Sequence, residues 1–399
     1  MCFLNWMALA SWTVPLTLVL NAHGLQSIQP FAFATSAIGY IFSPLFFGAM
    51  ADRHYAPTRV LRVLAAATGL AMALASAAIQ LGWNPWLVLA LVQAHSLCSA
   101  PTVSISTAIV MSCVSDPCRQ FGPIRAMGTL GWMAGCWLVS GLNADASTLS
   151  GFSSAVVWLM LAGITYALPE TEPPKSAEHL SWHERLGLDA LTLLHKPDHR
   201  VVFISIGLLS IPVAAFYPYT PPHLRDVGLE HASAWMSLAQ TTEIGAMFVL
   251  GSLLARWRLK WILLIGMGSA LLRYVLFSAN GVLWLLAGLT LHGITYTLFF
   301  TTAQIYVNER VEPEWRMRAQ ALLTLMNSGV GNLIGYLGCG WWFRHCGGPA
   351  ATRWPLFWGA LAASVGAVMA YFLVAYHGRG RQSRNENERD HVLTLGPTS

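Results

Sequence analysis

One acidic residue, Glu243, lies deep inside a long apolar stretch of this 399-residue chain, whereas the other acids fall in polar segments or near span ends. Gln240 precedes it by three residues, so a helix would place both side chains on one face. Ionisable residues inside apolar helices are costly and mark substrate or proton pathways. The pair therefore predicts a substrate contact, a proton-coupling site or both. The alternative is a structural ion pair with Arg273, for which we favour a structural or gating role over ligand contact.

A second candidate pair, Arg125 and Thr129, lies near the start of another apolar stretch. The two are four residues apart and would share one helix face, and Pro123 suits the first turn of that helix. Arg125 could then contribute a cationic donor to a site beside Glu243. Its position also allows the alternative that its charged end extends to the membrane surface.

Polar residues recur in the last third of the chain, within stretches that are otherwise apolar. We expect them to line a cavity, although a lone histidine in a helix is more commonly a hydrogen-bonded structural residue. Aromatic side chains in the same regions, Tyr217 and Tyr296, could stack on a flat ligand. The polar set is His292, Tyr296, Thr297, Asn327 and Asn332.

Residue patterns for enzymatic chemistry are absent from the sequence. The seven cysteines show no CxxC or Cys/His spacing, and several lie in apolar stretches as small buried side chains do. No nucleophile–base pair, metal-ligand cluster or phosphate-binding loop is recognisable. We therefore predict neither an enzyme nor a metal or cofactor site.

The elements that carry these residues read as membrane helices. The chain is 55% hydrophobic and 10% charged, against about 25% charged residues in soluble domains. About 20 apolar residues span a bilayer as a helix, and lipid leaves no alternative for separate apolar segments. The prediction is an all-α membrane protein of twelve transmembrane helices in two six-helix bundles, with spans at Cys2–Leu20, Phe31–Ala51, Val60–Gln80, Trp86–Thr107, Ile124–Leu142, Ser153–Leu168, Val201–Tyr219, Ala232–Leu254, Trp261–Ser278, Val282–Thr302, Ala319–Trp341 and Pro355–Tyr376.

The distribution of basic residues predicts the orientation. With both termini in the cytoplasm, 18 of the 23 lysines and arginines fall on the cytoplasmic side, three fall on the opposite side and two lie within spans. This is the bias of the positive-inside rule. The net charge of +5 therefore reflects topology in a cell inner membrane, and we expect no nucleic-acid partner.

The spacing of the apolar stretches predicts the domain organisation. Six spans are followed by the longest internal polar stretch and then by six more. The charged end of the chain lacks apolar periodicity and is expected to be disordered. The predicted units are an N-terminal bundle at 1–168, a cytoplasmic linker at 169–200, a C-terminal bundle at 201–377 and a tail at 378–399.

A short motif after the second span resembles the G-x-x-x-D-R loop of the major facilitator superfamily. It comprises Gly48, Asp52 and Arg53. Glycine permits close helix approach, and the charged pair can bind a neighbouring helix end in one conformation and release it in another. The resemblance implies paired six-helix halves with a site between them, and a gating or structural role for these three residues.

Several stretches together resemble the nucleoside:proton symporter family of that superfamily. In this family the arginine and threonine of the fifth helix and the glutamine and glutamate of the eighth are implicated in nucleoside binding. The resemblance therefore implies that Arg125, Thr129, Gln240 and Glu243 contact substrate. The matching stretches, in family order, are 121–131, 186–191, 236–243, 271–277, 318–322 and 329–331.

Two departures from the family pattern bear on substrate and coupling. The family's tenth helix carries an acid, where this chain has Thr297, which cannot titrate. Amide residues of the seventh helix are replaced within 212–219. Both changes leave substrate identity and proton stoichiometry open.

The sequence thus favours a secondary active transporter that couples nucleoside uptake to protons by alternating access, with Glu243 as the proton-coupling residue. The alternative is a transporter of another small solute, either a sugar importer or an exporter of drug-like compounds. The expected partners are a small-molecule substrate, protons and the lipid bilayer, and the expected state is a monomer.

Overall fold

The computed structural model describes residues 1–53, 56–113, 117–168 and 181–378, with side chains at 44–53, 117–123 and 125 excepted. The described part is built of helices joined by short turns. Gly48, Asp52 and Arg53 lie outside the described side chains, as does the side chain of Arg125. The gating and ligand roles predicted for these four residues therefore stay predictions.

The first half of the chain contains the first six spans. A break at Pro15 divides the first span into two helices, because proline removes a backbone donor and crowds the preceding turn. Each of the other five spans is one helix. The helices are α1 (Cys2–Thr13), α2 (Leu16–Ala22), α3 (Gln29–Arg53), α4 (Pro57–Gln80), α5 (Pro85–Cys113), α6 (Pro117–Gly141) and α7 (Leu149–Ile164).

The second half contains the other six spans, several of them segmented. Wider π-helical turns at Tyr296–Thr301 and Leu325–Gly331 interrupt the tenth and eleventh spans. Such turns are rare and frequently occur at functional sites. The helices are α8 (Trp182–Arg185), α9 (Pro197–Val213), α10 (Phe216–Asp226), α11 (Ala232–Met236), α12 (Leu238–Arg256), α13 (Leu259–Ser278), α14 (Val282–Thr295), α15 (Thr302–Arg310), α16 (Arg316–Thr324), α17 (Asn332–His345) and α18 (Trp354–Ala375).

Nine helical segments of the described part are long and apolar enough to cross a membrane by themselves. The remaining spans are α3, α6 and the α16–α17 segment, which are helical over comparable lengths. Helices α3 and α6 both include residues outside the described side chains. Several helices extend past the predicted spans, since hydropathy detects only the part that lies in hydrocarbon. The tenth span, for example, runs to Arg310 rather than Thr302.

The two halves meet along several pairs of helices. Helix α3 packs against α17, α6 packs against α11 and α12, and α2 packs against α10. Small residues permit the closest approach: Gly340 lies against Pro30, and Gly329 lies against Ile41. A side chain at either glycine would overlap the facing residue, so these positions set the spacing between the halves.

A second close approach positions Glu243. Gly293 of α14 lies directly against the backbone of Ala239 and Glu243 in α12, where no Cβ could be placed. Thr242 Oγ1 also donates a hydrogen bond to the carbonyl oxygen of Thr290 across the same pair of helices. The α12 backbone that carries Glu243 is therefore fixed against α14.

The described part of the linker docks onto the turn between α15 and α16. Arg318 pairs with Glu184 and Lys196 pairs with Glu312, both at 2.6 Å. Hydrogen bonds from Ser181 hold the pKa of Glu184 below its usual value, and the Lys196 hydrogen bond does the same for Glu312. Gly187 adopts φ +69° directly against α16. We call this side of the molecule the linker end, and the opposite side the far end.

Candidate functional site

A cavity of about 280 Å³ lies between the two halves. Ligand pockets typically measure about 300–1,000 Å³, so this volume suits a small solute. Both halves contribute to its wall. The lining residues are Trp6, Leu9, Thr13, Ser36, Tyr40, Ser96, Ser99, Ala100, Thr129 and Trp132 from the first half, and Val213, Ala214, Tyr217, Gln240, Glu243, His292, Tyr296, Phe300, Asn327, Ser328, Asn332 and Tyr336 from the second.

Glu243 lies on the cavity wall and contacts the opposite half. It is buried, with 7% of its surface exposed. Thr129 Oγ1 donates a hydrogen bond of 3.4 Å to Glu243 Oε1. The structure thus brings together two of the residues predicted from sequence, one from each half. Arg125 lies one helical turn before Thr129 on α6.

Gln240 lies one turn before Glu243 on α12 and lines the same cavity. Its side chain is 3% exposed, and its Oε1 makes no hydrogen bond with a described residue. A buried polar atom without a partner costs about 1–3 kcal/mol. A substrate group that donates a hydrogen bond to this oxygen would remove that cost.

Aromatic rings form another part of the wall. The ring of Trp132 lies 5.3 Å from that of Tyr217 in the opposite half and 5.9 Å from that of Trp6. The Trp132 Nε1 donor is buried and has no partner among the described residues. The wall therefore offers flat apolar surfaces together with a free N–H donor, a combination suited to a planar polar ligand.

Arg273 lies behind the wall rather than in it. It is fully buried, and its Nη1 lies 2.7 Å from Nδ1 of His292, which does line the cavity. The rings of Phe216 and Tyr274 flank the guanidinium at 5.0 and 4.7 Å. Arg273 and Glu243, both described, do not form an ion pair with each other. Arg273 thus contacts a residue of the wall without lining the cavity, and its structural or gating role stays a prediction.

The other residues predicted from sequence divide into two groups. Tyr217, Tyr296, Asn327 and Asn332 line the cavity. Thr297 is fully buried in the π-helical turn of the tenth span and does not appear in the wall. The wider turn shifts side-chain directions by a fraction of a turn, which regular helical spacing does not anticipate.

Most of the wall contributed by the first half was not predicted from the sequence. Ser36 and Tyr40 are four residues apart on α3, and Ser96 and Ser99 are three apart on α5. Polar residues at i, i+3 and i, i+4 spacing share one helix face, and this spacing was the feature of the sequence that could have indicated a cavity wall. Hydroxyl groups are common in membrane helices because they can bond their own backbone, so the signal is weak in a chain of this composition.

The halves are also joined at the far end, beyond the cavity. Asp145 Oδ1 accepts a hydrogen bond of 2.7 Å from the backbone nitrogen of Ser233, and Ser140 Oγ accepts one of 2.9 Å from that of Ala234. Trp137 Nε1 donates to Ser237 Oγ at 3.0 Å. We call these three contacts the far-end latch. They tie α6 and the following turn to α11.

In the described part of the chain, no three His, Cys, Asp or Glu side chains come together in an arrangement that could hold a metal ion. The cavity instead offers hydrogen-bonding groups, one carboxyl group and aromatic rings. These groups can bind a small neutral or polar solute and exchange a proton with it or with water.

Residues 1–380 match the family described as Nucleoside H+ symporter. Among curated proteins of Escherichia coli (strain K12), the chain is 31% identical to YegT, with 99% of this chain and 97% of that protein covered. It is 24% identical to the xanthosine permease, with 90% of each chain covered. It is 23% identical to the nucleoside permease NupG, over 86% of this chain and 85% of that protein.

Solved structures show the same fold. A crystal structure of an aspartate-to-alanine variant of the nucleoside transporter NupG aligns with a TM-score of 0.86, at 21% identity, over 94% of this chain and 98% of that one. An inward-facing bacterial homologue of the lysosomal transporter Spinster aligns with a TM-score of 0.69 at 14% identity. Both cover most of the chain, so the predicted twelve-helix architecture is confirmed.

Proposed function

The chain belongs to the nucleoside:H+ symporter family, and from that premise we propose that it carries nucleosides together with protons across the membrane by alternating access. As a member of this family it is a transporter rather than an enzyme. The observation that supports the proposal is the cavity between the halves, whose wall contains Glu243 and Gln240 together with aromatic rings. A nucleoside combines a planar base with a polar ribose and matches both kinds of surface.

Substrate binding divides between hydrogen bonds and stacking. Gln240 and Thr129 bind ribose hydroxyls or base edge atoms, and Arg125 adds a cationic donor from the same face of α6 as Thr129. Tyr217 and Tyr296 stack on the base. The buried Oε1 of Gln240, without a partner among the described residues, supports this assignment.

Glu243 is the proposed proton site. It is the one acidic residue among the described residues that line the cavity. As a carboxylate it accepts the hydrogen bond from Thr129 in the opposite half. Protonation weakens that contact, because the neutral oxygen is a poorer acceptor. The charge on Glu243 is thereby coupled to the contact between the halves.

Topology and location complete the proposal. The chain spans a cell inner membrane with both termini in the cytoplasm, as a monomer of two bundles, 1–168 and 201–377, joined by the linker at 169–200. The tail predicted at 378–399 lies outside the described residues apart from Gly378. The distribution of lysine and arginine supports this orientation. Proton and nucleoside enter from the far end when the latch opens, and they leave at the linker end.

A second candidate substrate class follows from the seventh span. Val213 and Ala214 present an apolar patch to the cavity, which would suit a drug-like compound that needs no amide contacts there. A thermal-shift screen of the purified protein against nucleosides, sugars and amphipathic drugs separates the two classes. Stabilisation by nucleosides alone supports the proposal, and stabilisation only by another class overturns it.

A further inference from the structure

The hydrogen bond between Arg273 and His292 assigns the proton on the histidine ring. A guanidinium group has N–H donors and no acceptor. Since Arg273 Nη1 lies 2.7 Å from His292 Nδ1, Nδ1 must accept through its lone pair. The ring is then neutral and carries its hydrogen on Nε2. His292 is therefore a hydrogen-bond donor at its free nitrogen and cannot act as an acceptor there.

The packing around His292 holds this donor at the cavity wall. The ring stacks on that of Phe216 at 4.0 Å with an interplanar angle of 8°, and the ring of Tyr217 meets it edge-on at 5.8 Å. His292 lines the cavity, and Nε2 makes no hydrogen bond with a described residue. Ring orientation and tautomer are both fixed before a ligand arrives.

Two of the three nitrogen atoms of the Arg273 guanidinium make no hydrogen bond with a described residue. Its Nε and Nη2 are buried without partners among the described residues. Keeping a guanidinium in this setting costs free energy, and the hydrogen bond from its Nη1 goes to His292. The arrangement is poorly suited to stability alone and well suited to orienting the histidine.

We infer that His292 is a specificity-determining residue, which donates from Nε2 to an acceptor atom on the substrate, and that Arg273 is the residue that positions it. This inference rests on the proposed function. His292 adjoins the aromatic wall at Tyr217, so the acceptor is an unprotonated ring nitrogen or carbonyl oxygen of the base. Gln240 Oε1 accepts a hydrogen bond from the base and His292 Nε2 donates one to it. The wall thus selects bases by the pattern of donors and acceptors along their edge.

The tautomer is tested first, without any substrate. The full-length protein is labelled with ¹⁵N-histidine in nanodiscs, and the His292 signal is identified by its loss in His292→Phe. We expect the neutral form with hydrogen on Nε2 at neutral pH. Arg273→Leu should convert it to a mixture of tautomers. A wild-type ring protonated on Nδ1, or on both nitrogens, would overturn the assignment.

The specificity role is tested by binding of adenosine and of its 1-deaza, 3-deaza and 7-deaza analogues, each of which lacks one ring acceptor. In the wild type we expect one analogue to bind about tenfold more weakly than adenosine, equivalent to about 1.4 kcal/mol. In His292→Phe the affinity for adenosine should fall to the affinity for that analogue, so that the variant no longer distinguishes the two compounds. His292→Asn retains a donor and should restore part of the discrimination.

Three outcomes are decisive for the inference. Equal binding of all four compounds by the wild type would overturn it, as would discrimination that persists unchanged in a folded His292→Phe variant. Failure of every nucleoside to bind the wild type would overturn the proposed function and the base contact with it. The NMR result would then still decide whether Arg273 fixes the His292 tautomer, so the two failures are distinguishable.

Discussion

At the scale of single residues, the cavity wall carries polar atoms whose partners are missing within the described protein. Gln240 Oε1 and Trp132 Nε1 are both buried and unpaired there. Folding leaves such atoms unpaired rarely, because each costs about 1–3 kcal/mol. Both atoms belong to residues of the cavity wall, where a bound ligand could pair with them and remove that cost.

Replacing Gln240 by leucine should weaken nucleoside binding roughly tenfold. Leucine has a volume similar to that of glutamine but lacks the amide group. One hydrogen bond contributes about 0.5–1.5 kcal/mol of free energy. Equilibrium binding to the purified variant measures the effect. Thr241→Val is the matched control, since Thr241 is exposed and its hydroxyl group bonds the carbonyl oxygen of Leu238. Unchanged affinity in Gln240→Leu would remove Gln240 from the site.

The sequence predicted the second half of the site better than the first. Glu243 and Gln240 stand out because they interrupt an apolar stretch at helical spacing, and both line the cavity. Ser36 and Ser96 give no such contrast, because serine is an ordinary residue of membrane helices. Trp132 joins the site through helix packing across the halves, which no local pattern encodes.

At the scale of helices, the position of Glu243 depends on the contact between α12 and α14. Gly293 is the residue that lets the two backbones meet. The same contact explains why a helix-destabilising glycine occurs inside a span: its missing side chain, rather than its flexibility, is what the packing requires.

Gly293→Ala should therefore destabilise the protein by about 1–3 kcal/mol, the range for overpacked interiors. The added methyl group would overlap the backbone of Glu243 and force α12 away from α14. The thermal midpoint of the detergent-solubilised protein reports the change. Gly245→Ala on α12 meets open space and serves as the control. Equal midpoints for the two variants would show that the helices can separate without cost.

The far-end latch joins the two halves through α11. Its hydrogen bonds from Ser233 and Ala234 to Asp145 and Ser140 must break if the halves separate at that end. The contacts themselves were invisible in the sequence, since Asp145 lies in a turn and meets its partner 88 residues away.

Replacing both Asp145 and Ser140 by alanine should raise the population open at the far end about tenfold, because two hydrogen bonds between the halves are lost. Spin labels at Leu142 and Glu230, in a variant without native cysteines, report this opening as longer distances. Ser147→Ala in the same turn is the control, because Ser147 bonds within its own half. An unchanged distance distribution would argue against a latch.

At the scale of the whole molecule, the fold followed from hydropathy and the superfamily motif. The count of twelve spans and the paired halves were both predicted, since each span needs its own apolar length. The division of the seventh, tenth and eleventh spans into shorter helices was not predicted, because packing between helices determines where such breaks form. These breaks lie beside the cavity, where irregular backbone is most useful.

The central claim couples Glu243 to proton-driven nucleoside transport. The most direct test is uptake of radiolabelled nucleosides into proteoliposomes, with and without an inward proton gradient. The wild type, Glu243→Gln and the exposed control Glu230→Gln are compared. We expect the gradient to stimulate uptake by the wild type and the control, and to have no effect on Glu243→Gln. Full gradient stimulation in a folded Glu243→Gln variant would contradict the account.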